Sequence, residues 1–318
     1  MHIEDSQIHP ELRRTGRILR TLAPASFSPR TLRLSAAVMN AAERLRIWPG
    51  KSPRPRRVGV ERPDRTRCPV WVFEPARRSE EPAPVVLWIH GGGFALGAPL
   101  QDFGFIDLFV SLGCTVVSPH YRLSTEAPYP AAFDDCYRTL EWAYDRFCEA
   151  QDRKLAVGGD SAGGGLCVAV CLKSRDAGGP SVAFHMPLYP MLDDRMATSS
   201  SRDNDAPVWN SASNEAAWRL YLGGLSGTDD VPAYAAPARA RDFAGMPPGC
   251  TYVGSVEPFH DETISYVDAL RSAGVGMDLL VLPGCFHGFD LVCPRSTPAR
   301  EARSFLERSF REGLGYPS

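Results

Sequence analysis

Residues Lys154–Gly165 read KLAVGGDSAGGG, and the parsing of this stretch decides the fold. The apolar run up to Val157 suits a buried strand, and the small residues from Ala162 to Ser174 suit a closely packed helix. Between them, Gly159, Ser161 and Gly163 satisfy the spacing G-x-S-x-G. That spacing makes physical sense at a strand-to-helix turn. The serine backbone is strained there, and glycines two residues to either side remove the Cβ atoms that would collide. Such a turn lifts the hydroxyl clear of the sheet at a helix N-terminus. Ser161 is the candidate nucleophile.

Two other readings of these glycines fail on context. Trypsin-like proteases carry a similar GDSGG, but with His and Asp upstream on an all-β fold, whereas here a helix pattern follows directly. A phosphate loop requires a Lys-Ser/Thr ending, and none is present.

Upstream, the continuous apolar run Val85–Ile89 stops abruptly at His90-Gly91-Gly92-Gly93-Phe94. Three consecutive glycines cost backbone entropy, and in return bare N–H groups can approach a ligand. Acyl transfer needs such donors, because the attacked carbonyl oxygen becomes an anion. Gly92 and Gly93 are the first candidates, then Gly91, with the Ala162 N–H as the donor following the nucleophile. His90 reads as support for the loop.

Further out, strand and helix patterns alternate. Strands are expected at 69–73, 85–89, 115–118, 154–157, 182–188, 250–253 and 277–282, with helices at 102–112, 131–149, 162–174, 262–272 and 298–311. Alternation of this kind implies crossover connections and a mostly parallel sheet. The rhythm breaks at 193–244, which is rich in Ser, Asn, Asp and Pro with a helical pattern near 214–222. Its place suits an insertion over the carboxyl edge of the sheet, where α/β proteins bind ligands. Leu34, Val38, Ala41, Leu45 and Trp48 form an apolar stripe at helical spacing within 31–48. Residues 1–50 and the insertion together read as a cap, 51–318 as the catalytic domain, and Lys51–Arg57 as a linker.

A serine nucleophile on this architecture wants its acid and then its histidine downstream, in that order. His185 lies within a strand pattern, whereas His287 sits on the loop leaving the strand 277–282, able to reach over the serine. Glu257 is the first carboxylate beyond the strand 250–253. Asp261, which suits the start of the next helix, and Asp290, three residues past His287, remain alternatives.

Composition bounds the rest. Apolar residues make up 44% of 318 and charged residues 23%, a globular balance, and the net charge of −2 argues against general nucleic-acid binding. Residues 1–67 hold 15 Lys and Arg against 6 Asp and Glu, a basic excess best read as a solvated face. The polar start MHIEDSQIHPELRR has no apolar signal core, and no apolar run approaches membrane-spanning length. The nine cysteines include no Cys-x-x-Cys pair. A cytoplasmic enzyme without cofactor or metal is expected. Its partner would be a small acyl substrate, with neither nucleic acid nor membrane, and a homodimer is left open.

Together the motifs HGGGFALG (90–97), YRLSTEAPYPAAFDD (121–135), GDSAGG (159–164), GSVEPFHDE (254–262) and PGCFHGF (283–289) resemble those of the bacterial hormone-sensitive-lipase-like carboxylesterases, in particular the acetyl esterase branch. The resemblance implies an α/β-hydrolase fold with an eight-stranded, mostly parallel sheet and a helical cap. It also implies hydrolysis of short acyl esters and a triad on Ser161, Glu257 and His287. Two departures stand out. Glu257-Pro258 replaces the family's usual Asp-Pro, and His120-Tyr121-Arg122-Leu123-Ser124-Thr125-Glu126 replaces Asp-Tyr-Arg-Leu-Ala-Pro-Glu. The same machinery would also suit an amidase, arylformamidase or lactonase, or a hydrolase-fold protein that binds a small ligand without turnover.

Overall fold

The run VVLWI at Val85–Ile89 is apolar throughout because both faces of its strand are covered. Val85, Leu87 and Ile89 enter one core cluster, while Val86 and Trp88 enter the other. This strand lies in the interior of an eight-stranded sheet in a computed structural model that describes residues 2–22, 54–76 and 83–316. In chain order the strands are β1 (Arg56–Glu61), β2 (Arg67–Phe73), β3 (Val85–Ile89), β4 (Thr115–Pro119), β5 (Leu155–Asp160), β6 (Phe184–Leu188), β7 (Gly249–Gly254) and β8 (Met277–Leu282). Across the sheet the order is β1-β2-β4-β3-β5-β6-β7-β8. The pairs β1–β2 and β2–β4 are antiparallel, and every later pair is parallel.

The helices are α1 (Pro10–Leu22), α2 (Phe103–Ser111), α3 (Ala131–Phe147), α4 (Ala162–Ala177), α5 (Ser211–Leu222), α6 (His260–Ser272), α7 (Phe289–Val292) and α8 (Thr297–Leu314). Residues of α3, α4 and α6 share a core with Leu87 and Ile89, whereas α2 and α8 share theirs with Trp88. The sheet is thus sandwiched between two helical layers, each burying one side-chain parity of the central strands. None of the helices of the described residues is long and apolar enough to cross a membrane.

The strands and helices expected between residues 69 and 311 are all found, with ends shifted by a few residues. One assignment is corrected. The stretch Lys51–Arg57, read as a linker, ends inside β1, which begins at Arg56 and pairs with β2 from Arg56↔Val72 to Glu61↔Arg67. In RRVGVE only Val60 is buried, and a charged edge strand with one apolar anchor has no alternating signature to read. The apolar stripe within 31–48 lies outside the described residues.

Between β6 and β7 the chain departs from the sheet for some sixty residues, of which α5 is the one α-helix among the described residues. Its inward face carries Asn214, Ala217, Trp218 and Tyr221, all buried. At the other terminus α1 is pinned by Leu12, fully buried, and by the His9 N–H, which donates to Gly284 O at 2.8 Å.

Candidate active site

β5 runs to Asp160, and α4 begins at Ala162, so Ser161 alone makes the turn. Its backbone sits at φ 54°, ψ −119°, a strained conformation for a residue with a Cβ. The neighbouring glycines show why the chain tolerates this bend. A Cβ on Gly163 would lie 2.1 Å from Ile89 O, and one on Gly159 would lie 2.5 Å from Gly163 O. The turn is held by the Ser161 N–H, which donates to Leu188 O at 2.9 Å, and by the Met191 N–H, which donates to Ser161 O at 3.0 Å. Phe94 (φ 60°), Tyr189 (φ 33°) and Val208 (φ 71°) are also left-handed, and each lies on a segment that touches this centre.

His287 follows β8 on a loop whose left-handed residues Gly284 (φ 68°) and Gly288 (φ 64°) turn the ring back over the sheet edge. Its Nε2 is 2.9 Å from Ser161 Oγ. Its Nδ1 is 2.5 Å from Glu257 Oε2, and Glu257 Oε1 accepts the Gly254 N–H at 2.8 Å. Glu257 is fully buried, and His287 and Ser161 are only 5% and 4% exposed, so the relay is screened from bulk water. The imidazole is walled edge-on by Tyr189 and Phe259, each with its ring centroid 5.0 Å away.

The other two carboxylates go elsewhere. Asp261 lies in the first turn of α6, where Oδ2 accepts the Ser200 N–H at 2.9 Å and ties down the insertion. Asp290 accepts the hydroxyls of Tyr189 (3.0 Å) and Tyr252 (2.5 Å), and burial pushes its carboxyl up to about 6.

The glycine loop divides into an anchor and a cradle. Gly91 departs from expectation: its N–H is committed to Asp160 Oδ1 at 2.8 Å, so it is not available to an oxyanion. Gly92 (φ 114°) accepts the Ala95 and Leu96 N–H groups on its carbonyl. No described residue accepts the N–H of Gly92, Gly93 or Ala162; the last is the first residue of α4 and lacks an intrahelical partner. Gly93 has to be glycine twice over, for its φ of 59° and because a Cβ would meet the Trp209 ring at 2.4 Å.

His90 supports this loop from behind. Nδ1 lies 2.9 Å from Gly91 O, the ring stacks on Tyr121 at 4.2 Å, and burial pushes its pKa down to about 3. The Tyr121 hydroxyl donates to His90 O at 2.9 Å, and the Ser124 N–H donates to Phe94 O at 2.7 Å. Beneath them, fully buried Asp135 is clamped by Arg62 and Arg122. The segment 120–126 thus braces the loop despite its altered residues. His185, within β6, bonds the Tyr266 hydroxyl at 2.9 Å and takes no part in the site.

Asp160 is the functional residue that motif reading passed over. The available signal was an acidic side chain at the end of a buried strand, which demands a buried partner. That partner is the Gly91 amide. The neighbouring buried carboxyl, Asp102, accepts Trp88 Nε1–H at 2.9 Å and acts on Asp160 electrostatically. Burial raises both carboxyls, and Asp102, which also feels the Asp160 charge, is pushed well above the usual carboxylate range and is the one that favours the neutral form.

With this geometry in view, residues 86–291 match the family model described as alpha/beta hydrolase fold. The chain belongs to that family. Within it, the chain stands among the hormone-sensitive-lipase-like carboxylesterases. It is 34% identical over 221 residues to Esterase LipI of Mycobacterium tuberculosis, covering 68% of this chain and 69% of that protein. It is also 34% identical over 244 residues to Carboxylesterase NlhH of the same species, covering 74% and 76%. Among solved structures, a bacterial heroin esterase superposes with a TM-score of 0.85 at 33% identity, over 97% of this chain and 98% of the other.

Proposed function

We propose that this carboxylic ester hydrolase cleaves short acyl esters by a two-step acyl transfer on Ser161, with His287 as general base and Glu257 as its orienting acid. One observation carries the reading: the unbroken series Ser161 Oγ, His287 Nε2 at 2.9 Å, His287 Nδ1, and Glu257 Oε2 at 2.5 Å. Glu257 fixes the tautomer that leaves Nε2 free to accept the serine proton, and it stabilises the imidazolium that forms. The serine oxygen attacks the ester carbonyl, and the N–H groups of Gly92, Gly93 and Ala162 receive the oxyanion. As the tetrahedral adduct collapses, the imidazolium returns its proton to the departing alcohol. Water then enters, loses a proton to His287 and releases the acid from the acyl-enzyme. A donor of this kind is typically worth about 3 kcal/mol in the transition state.

Residues 193–244, together with the N-terminal segment as far as Leu22, serve as the cap in this reading. The Trp209 ring against Gly93 and the nearly complete burial of Ser161 favour short acyl groups over long ones. A fluorophosphonate probe should label Ser161, as mapped by peptide mass spectrometry. Nitrophenyl acetate or butyrate should be turned over far faster than palmitate. Labelling of any other residue, or palmitate hydrolysed as fast as butyrate, would contradict the proposal.

A further inference from the structure

The inward face of α5 is not uniformly apolar. Successive residues of a helix are rotated by 100°, so Asn214, Tyr221 and Trp218 cluster within about 40° of one direction, with Ala217 at the margin. That direction is fixed by contact. Ala217 Cβ lies 3.1 Å from where a Cβ on Gly93 would sit, and Tyr221 stacks on Phe94 with ring centroids 3.8 Å apart. The start of α5 is tied to the acid side of the site. Asn204, whose N–H donates to Ser211 Oγ at 2.7 Å, reaches Val256 O at 3.4 Å, beside Glu257. The helix therefore spans from the acid loop to the glycine loop, and Asn214 stands at the centre of the span.

Asn214 is fully buried, yet neither Oδ1 nor Nδ2 has a hydrogen-bond partner among the described residues. Trp218, one turn further on and 2% exposed, likewise has an Nε1–H without a partner among them. Buried amides without partners are rare and costly, and they persist where a ligand completes them. Asn210 shows the contrast. At the N-cap of the same helix, its side chain accepts the Ser213 N–H at 2.9 Å.

We propose that Asn214, assisted by Trp218, is a specificity-determining residue that hydrogen-bonds an oxygen in the substrate close to the scissile ester. The preferred esters then carry an ether, hydroxyl or carbonyl oxygen on the acyl or the alcohol part, in place of plain hydrocarbon. This rests on the esterase reading above. A site built to bond a polar group discriminates against the analogue that lacks it, because its own buried groups are then left unpaired.

The test uses pairs of equal shape. Nitrophenyl methoxyacetate and butyrate differ by one oxygen in the acyl chain, and 2-methoxyethyl acetate and butyl acetate by one oxygen in the alcohol. Each pair is measured with the unaltered protein, Asn214→Leu and Trp218→Phe. Intrinsic reactivity cancels when the kcat/KM ratio within a pair is compared between proteins. For one of the two pairs, Asn214→Leu should lower the oxygen-to-hydrocarbon ratio at least tenfold. The loss should fall mainly on KM, with the hydrocarbon ester itself improved, and Trp218→Phe should give a smaller change in the same direction. The pair that responds identifies the acyl or the alcohol side. If both esters of each pair are hydrolysed but neither ratio moves while the melting temperature falls, Asn214 is a packing residue and the inference is overturned. If no ester is hydrolysed by the unaltered protein, the esterase reading itself has failed.

Discussion

Glu257 divides its carboxylate between His287 and its own loop: Oε2 meets His287 Nδ1 at 2.5 Å, while Oε1 takes the Gly254 N–H at 2.8 Å. The second bond matters because the glutamate arm is one methylene longer than the aspartate usual in this family. Tying one oxygen to the end of β7 restricts the rotational freedom that the longer arm adds.

Replacing that carboxylate should therefore be severe. In Glu257→Gln an amide NH₂ can face Nδ1 and stabilise the wrong tautomer, and kcat should fall by roughly 10³–10⁴ with little change in KM. Asp290→Asn should leave kcat within about threefold, since Asp290 holds two tyrosine hydroxyls and not the imidazole. Steady-state kinetics on nitrophenyl butyrate decide this. A heavier loss from Asp290→Asn would reassign the acid.

Asp290 carries a second prediction, on stability. Its pKa is raised by burial from an ordinary 3.8 to about 6, so the folded protein holds this proton more tightly than the unfolded chain does. Its contribution to stability is fully present below about 4 and is lost as pH rises through about 6. Asp290→Asn cannot ionise and should flatten that decline. Thermal melts at pH 5 and pH 7.5 should show a smaller drop for the variant than for the unaltered protein, and an equal drop would refute the assignment.

The anchor beneath the glycine loop is separable from the cradle. A methyl on Gly91 would lie 2.4 Å from Asp160 Oδ2 and 2.9 Å from Asp160 O, so Gly91→Ala has to push the loop off its anchor. Displacing the proposed oxyanion donors would cost transition-state binding, and kcat should fall roughly 10²–10³-fold at near-constant KM. Asp102→Asn should be mild at neutral pH, because the amide keeps the shape of the neutral acid, offers a donor to the neighbouring Asp160 and can still accept from Trp88. If instead Asp102→Asn proved the more damaging change, the proton in this pair would be misplaced.

Most of this arrangement was legible in the sequence, because glycines and buried strands leave strong local signals. Gly159 and Gly163 are dictated by collisions of both with Ile89 O, of Gly159 with the Gly163 carbonyl and of Gly163 with the His90 carbonyl, all of which arise from the tight strand-to-helix turn. The commitment of Gly91 to Asp160 was not legible, since it joins residues 69 positions apart through a side chain that local spacing does not mark. Neither was β1, whose exposed arginines look like any polar connection until they are paired with β2. Trp209 and Phe259 were missed for a third reason: an aromatic residue in an irregular segment carries no periodicity to show which way it faces.

The N-terminal helix is bound into the histidine loop. The His9 N–H donates to Gly284 O at 2.8 Å, and Gly16 is so close to Phe286 and Pro207 that a Cβ would stand 3.3 and 3.2 Å from them. Glu11 accepts the Thr297 N–H at 2.9 Å at the start of α8. These contacts press on the two sides of the loop that carries His287, so α1 should set the position of the proposed general base as well as cover apolar surface. Leu12→Ala, at a fully buried position, should destabilise the protein by about 2–5 kcal/mol. A chain lacking residues 1–22 should keep its far-UV spectrum but lose more in kcat than in KM. Hydrogen exchange should then quicken at residues 284–288 before it does in β5. Equal exchange at both places, with kcat preserved, would show that α1 is a cover and nothing more.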